Sequence, residues 1–155
     1  MRILFIEDEK DKKRDIIDYL KHISSESQID SEESLMSGII ALGKKAYNIV
    51  LLDMSLPLYE KGINDENNEF EAFGGLDILD EIVRLDLPSK VIVITAFDVI
   101  EDDSNKLTLE ELDKEMRTEY AGNYLGCIHY DQSSIEWKTA LSNWIRGIAN
   151  ESVNS

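Results

Sequence analysis

Residues 49–57 read IVLLDMSLP: four apolar side chains in succession, then Asp53, then Met54, Ser55, Leu56 and Pro57. An unbroken apolar run of this length, rich in β-branched residues, is the mark of a strand covered on both faces, as in parallel sheets. A carboxylate delivered by such a strand is costly to bury unless something pairs with it. The partner has to come from the places where the other apolar runs stop.

Working outward, the period of the apolar residues alternates along the chain. RILFIED, residues 2–8, is a second continuous run, and it stops at Glu7 and Asp8. KDKKRDIIDYLKHIS then places Ile16, Ile17, Leu20 and Ile23 on one helical face, with the charges opposite. SQID is a weaker strand signal, and Leu35, Ile39 and Leu42 give helical spacing across residues 32–45. After Gly74 and Gly75, Leu76, Leu79, Ile82 and Val83 predict a helix that Pro88 helps to end. KVIVITAF is a strong strand, stopping at Thr95 and Ala96. LTLEELDKEMRTEY predicts a helix with Thr108 as N-cap and Glu111 three positions on, a capping box. YLGCIHY is the last strand. Ser133 or Ser134 opens a closing helix that buries Ile135, Leu141, Trp144, Ile145 and Ile148.

The order βαβαβαβαβα predicts an α/β fold, a doubly wound sheet of five parallel strands with helices on both faces. It forms one domain over residues 1–150, with 151–155 as a frayed tail. Ligands in such folds sit outside the carboxyl ends of the strands. Glu7, Asp8, Asp53 and Thr95 would therefore converge at one edge. Three carboxylates this close repel, and a hard divalent cation with oxygen ligands, Mg²⁺, removes the conflict.

Composition agrees with a globular protein and narrows its partners. The formal net charge is −16, from 32 acidic and 16 basic side chains, which opposes long contact with nucleic acid or an anionic membrane. The single cysteine, Cys127, allows no intrachain disulfide and suits a reducing compartment. No run has the length of a signal peptide core or a membrane span, so a cytoplasmic protein is expected.

ILFIEDE, YNIVLLDMSLP, GGLDILDEI and VIVITAF resemble the motifs of response-regulator receiver domains from two-component signalling, across almost the whole chain. The resemblance implies the CheY-like, flavodoxin-like fold with strand order 2-1-3-4-5. It implies that Asp53 accepts a phosphoryl group from a histidine kinase or phosphotransfer protein, and that Thr95 bonds the phosphoryl oxygens and carries the switch. Glu7, Asp8, Asp53 and the backbone carbonyl of Ser55 would hold Mg²⁺, Glu7 commonly through water. The expected activity is signalling, with self-catalysed phosphotransfer and dephosphorylation only. A phosphatase reading is disfavoured, because Ser55 stands where such enzymes carry a general acid. With no residues left for an output module, the chain is expected to stand alone and to act through a protein partner.

Two departures qualify the resemblance. The lysine usual at the end of the fifth strand is missing. Tyr130 takes its place in one register and Cys127 in another, while strand alternation turns His129 to the other face. The loops after the third and fourth strands are enlarged, LYEKGINDENNEFEAFGG and DVIEDDSNKLTLEEL, and both should border the site. Phe70 and Phe73 would pack back or anchor a partner, while Asp65, Asn67 and Glu69 only weakly resemble a calcium loop. These departures also leave open a degenerate receiver that binds its partner without phosphorylation.

Overall fold

The structure, a computed structural model, describes residues 1–62 and 68–154. Five parallel strands form the central sheet: β1 (Arg2–Ile6), β2 (Gln28–Glu32), β3 (Ile49–Leu52), β6 (Lys90–Thr95) and β9 (Tyr124–His129). Their order across the sheet is β2-β1-β3-β6-β9, which is 2-1-3-4-5 when only these strands are counted. Five helices connect them: α1 (Lys10–Ile23), α2 (Leu35–Lys44), α3 (Gly74–Arg84), α4 (Leu109–Glu119) and α5 (Glu136–Asn154).

The continuous apolar runs predicted from sequence are two-sided, and each side meets its own core. Leu4, Ile6, Val50, Leu52, Val91 and Val93 pack with Leu35 and Leu42 of α2, Ile78 and Ile82 of α3, and Leu112 and Met116 of α4. Their strand neighbours Ile3, Phe5, Ile49, Leu51, Ile92 and Ile94 pack with Ile16 and Leu20 of α1 and with Trp137, Leu141 and Ile145 of α5. Each such side chain, taken wholly out of water, contributes about 1.5–3 kcal/mol before entropy is counted.

Local signals also explain the ends. The capping box at Thr108 is formed, with Glu111 N–H donating to Thr108 Oγ1 at 3.1 Å and Thr108 N–H to Glu111 Oε1 at 3.0 Å. Helix α3 ends with Asp86 at φ 53°, where Asp86 N–H donates to Val83 O and Leu87 N–H to Ile82 O. That is a Schellman turn, closed before Pro88 is reached. Gly75 permits α3 to seat directly on the chain leaving β3: a Cβ there would lie 2.7 Å from Leu52 Cδ1 and 3.0 Å from Met54 Sδ.

Two expectations are corrected. Val83 is 53% exposed and Ile135 is 73% exposed, whereas Ile78 and Trp137 take the buried positions. Helix α5 starts one residue after Ile135, so its inward stripe runs 137, 141, 145 and 148. The helix runs through Asn154.

The enlarged loops carry strands of their own. After β3, β4 (Leu56–Pro57) pairs antiparallel with β5 (Phe70–Glu71). After β6, β7 (Val99–Glu101) pairs antiparallel with β8 (Lys106–Thr108). Phe73 packs against the core, but Phe70 is 59% exposed. Asp65 and Asn67, two of the three calcium-loop candidates, lie outside the described residues.

Candidate functional site

Parallel register brings the predicted residues to one edge. Ile6 of β1 pairs with Leu52 of β3, so Glu7 and Asp53 are each the first residue beyond their strand. Leu52 pairs in turn with Val93 of β6, which ends at Thr95. Glu7, Asp53, Ser55 and Thr95 are all buried, and Asp8 is half-buried.

At the centre is a residue the sequence reading counted among the solvent-facing charges. Lys12, only 4% exposed, sends its ammonium into the gap between Glu7 and Asp53. Lys12 Nζ donates to Asp53 Oδ2 at 3.0 Å and to Ile94 O at 2.9 Å, and forms a close ion pair with Glu7 Oε1. One amine thus ties together the ends of β1, β3 and β6. Its place is fixed by the start of α1, where the Glu9 carboxylate caps the helix and accepts from Lys12 N–H at 2.6 Å. A cation in the first turn opposes the helix dipole, so the two carboxylates must hold it there. The signal was present: Lys12 precedes Ile16 by four and Leu20 by eight, on the apolar stripe itself.

Glu7 is committed elsewhere as well. Its Oε2 accepts from the backbone N–H groups of Asp8, at 3.0 Å, and Glu9, at 3.2 Å. Burial pushes its carboxyl up to about 7, against the lowering effect of Lys12 and with the further raising effect of Asp53. Asp8 is also raised, by burial first and by Asp53 in addition. Asp53 Oδ1 is buried with no hydrogen-bond partner among the described residues.

These facts bear on a divalent cation. Among the described residues, no group of three or more His, Cys, Asp or Glu side chains is arranged to hold a metal ion. The sequence reading counted Glu7 with the ligands, whereas its carboxylate meets Lys12 and backbone amides. Asp8 and Asp53 remain, and a pair of carboxylates is a common protein contribution to Mg²⁺, which keeps several waters. Three carboxylates against one ammonium leave two formal negative charges, matching such an ion. The donor set therefore fits Mg²⁺.

Thr95 is fully buried, and its Oγ1 accepts from Phe97 N–H at 3.3 Å. Among the described residues its hydroxyl donates to no acceptor, which leaves the proton available. Ser55 Oγ donates to Ala72 O at 2.8 Å, fixing the turn after Asp53.

Neither Tyr130 nor Cys127, the two residues predicted for the lysine position of the last strand, hydrogen-bonds Asp53. The strand ends at His129, which pairs in register with Thr95 and is exposed, its Nε2 3.3 Å from Asp98 Oδ1. Tyr130 packs in the core beneath α1 and α5 and donates its hydroxyl to Asp15 Oδ2 at 2.7 Å. Cys127 lies two residues before the strand's end and packs toward the α2–α3–α4 core. Burial, with Asp113 in second place, pushes its thiol up to about 12. The neutral thiol is therefore the folded form through the ordinary alkaline range. At pH 8.5, iodoacetamide is expected to alkylate native Cys127 at least about a hundredfold more slowly than in denaturant. Equal rates in a mass-spectrometric time course would contradict the packing of this half-buried thiol against the core.

Both hairpins border the site. Ser55, Phe70, Phe97 and Val99, together with the acids Glu101, Asp102 and Asp103, line a groove of about 500 Å³.

No family model matches the sequence. The chain is 27% identical over 144 residues to the uncharacterized protein y4jR of Sinorhizobium fredii (strain NBRC 101917 / NGR234), covering 92% of this chain and 95% of that one. It is 26% identical over 143 residues to the Detocs response regulatory protein DtcB of Enterobacter cloacae (strain JD6301), covering 91% and 95%. Among solved structures, a CheY-like response regulator receiver domain from Methylobacillus flagellatus superposes with TM-score 0.63 at 17% identity, over 96% of this chain and 98% of that one. The receiver domain of the sensor histidine kinase PA1611 from Pseudomonas aeruginosa PAO1 gives TM-score 0.59 at 16% identity, over 93% and 96%. That structure has a magnesium ion coordinated in its active-site cleft. The fold is that of response-regulator receiver domains.

Proposed function

We propose that the chain is a phosphoryl acceptor in a phosphorelay: Asp53 takes a phosphoryl group from phosphohistidine on a histidine kinase or phosphotransfer protein, with Mg²⁺ in the site. The observation that carries this reading is the seating of Asp53. One carboxylate oxygen is held by Lys12, and the other is buried with no hydrogen-bond partner among the described residues.

Phosphoryl transfer asks mainly for alignment and for neutralisation of the phosphoryl oxygens. Oδ1 supplies the lone pair and attacks phosphorus in line with the leaving group. An O–P bond forms as the P–N bond to the donor histidine breaks. That electron pair returns to the imidazole nitrogen, which takes up a proton. Asp53 is left as an acyl phosphate. Mg²⁺, when bound, neutralises the transferring oxygens and orients the donor. Asp8 and Asp53, with the backbone carbonyl of Ser55, would hold it, while Glu7 serves Lys12. Thr95, its proton unspent, bonds the phosphoryl group and draws its loop inward, a local charge change biasing a bistable element. Output then passes by contact with a protein partner, since the net charge of −16 opposes DNA.

Incubated with acetyl phosphate and Mg²⁺, the protein is expected to gain one phosphoryl group by intact mass. Chelation with EDTA is expected to slow the gain by more than about tenfold. A protein that takes up nothing under either condition would overturn the proposal.

A further inference from the structure

We propose that Lys12 is a catalytic residue of this site: delivered from α1 rather than from a strand, its ammonium contacts the phosphoryl group as it reaches Asp53. The inference rests on the acceptor reading given above and assigns the cation that reading requires.

The ammonium touches the nucleophile itself. Lys12 Nζ lies 3.0 Å from Asp53 Oδ2, and among the described residues it is the cation paired with Asp53. The last strand offers no replacement, because Tyr130 spends its hydroxyl on Asp15 and His129 is exposed beside Asp98. By holding Oδ2, Lys12 fixes the carboxylate's rotation and leaves Oδ1 as the oxygen free to attack. A group joined to either oxygen of that carboxylate comes within reach of the same amine.

The electrostatics change in a definite direction during transfer. As Oδ1 bonds to phosphorus, Oδ2 becomes the carbonyl of an acyl phosphate, a weaker acceptor than a carboxylate. The negative charge now sits on the phosphoryl oxygens. Lys12 gains its better partner there, so its interaction strengthens along the reaction, which is the condition for accelerating it. The ammonium keeps its three protons throughout. Glu7 remains behind as its anchor.

A lysine buried between two acids can also serve folding alone, and the test must separate the two roles. Truncating Lys12 strands Glu7 and Asp53, which is destabilising in itself. Lys12→Gln is therefore compared with Glu7→Gln/Lys12→Gln, which removes one charge of each sign and leaves the site's formal charge unchanged. Rates of phosphoryl uptake are measured by intact mass at saturating acetyl phosphate and Mg²⁺, alongside thermal melts. Both variants are expected to label at least about tenfold more slowly than wild type, the double variant even where its melting temperature recovers. Wild-type labelling rates in Lys12→Gln, or their return in the double variant together with its stability, would make Lys12 structural and overturn the proposal. A wild-type protein that fails to label would instead remove the acceptor reading, and this assignment with it.

Discussion

Asp53→Asn is expected to lower phosphoryl uptake by more than about a hundredfold, with little loss of stability. An amide has nearly the shape of the carboxylate, and its carbonyl oxygen can still accept from Lys12 at the position Oδ2 occupies. The anionic oxygen that must attack phosphorus is gone, however, and an amide is a far weaker nucleophile. Substitution also removes one of three clustered negative charges, relieving the repulsion that adds to burial in raising Glu7 and Asp8. The melting temperature should therefore stay level or rise while labelling disappears. Parallel melts and intact-mass time courses of the two proteins measure this. Equal labelling would show that another side chain takes the phosphoryl group.

Trp137→Ala is expected to cost about 3–5 kcal/mol of stability. Trp137 is 1% exposed and is the largest fully buried side chain of the fold. Its ring meets Tyr19 of α1 edge-on at 5.5 Å and Tyr130 at 5.2 Å between centroids. It therefore joins α5, α1 and the exit of the last strand in one cluster. A loss of that size is a large part of the 5–15 kcal/mol typical of a domain, and lowers the melting temperature by roughly 6–20 °C. The same ring backs Tyr130, whose face lies 5.9 Å from Lys12 Nζ. The cavity left behind would thus open behind the ring that faces the site's ammonium. A calorimetric melt unchanged within about 2 °C would contradict this packing.

How much of this was legible depends on which physical signal each residue carries. Strands buried on both faces announce themselves as continuous apolar runs, and all five central strands lie where such runs or the weaker SQID signal predicted them. The capping box at Thr108 needs only two residues at a fixed spacing, and it formed as read. Ile135 was misassigned because an N-cap placed at Ser133 or Ser134 counts it as helical, although the helix begins at Glu136. That single offset hid Trp137. The short hairpins escaped notice because their strands are two or three residues long, too short for any periodicity.

Lys12 shows why the site was read only in part. A charge pattern sorts lysine to the solvent face, yet the aliphatic stem of lysine packs well on an apolar stripe and carries its charge beyond it. Whether that charge reaches water or a buried carboxylate depends on what the ends of β1 and β3 place above the helix. That is tertiary information. The missing strand lysine and the stray helix lysine were each visible alone, and only the fold joins them.

The claim at the centre is that the oxygen of one particular carboxylate becomes phosphorylated. Acyl phosphates are reduced by borohydride, so an aspartyl phosphate is converted to homoserine at its own position. After treatment with acetyl phosphate and Mg²⁺, then borohydride, peptide mapping should find homoserine at position 53 and not at position 8. Unmodified aspartate at 53, with homoserine elsewhere or nowhere, would contradict it.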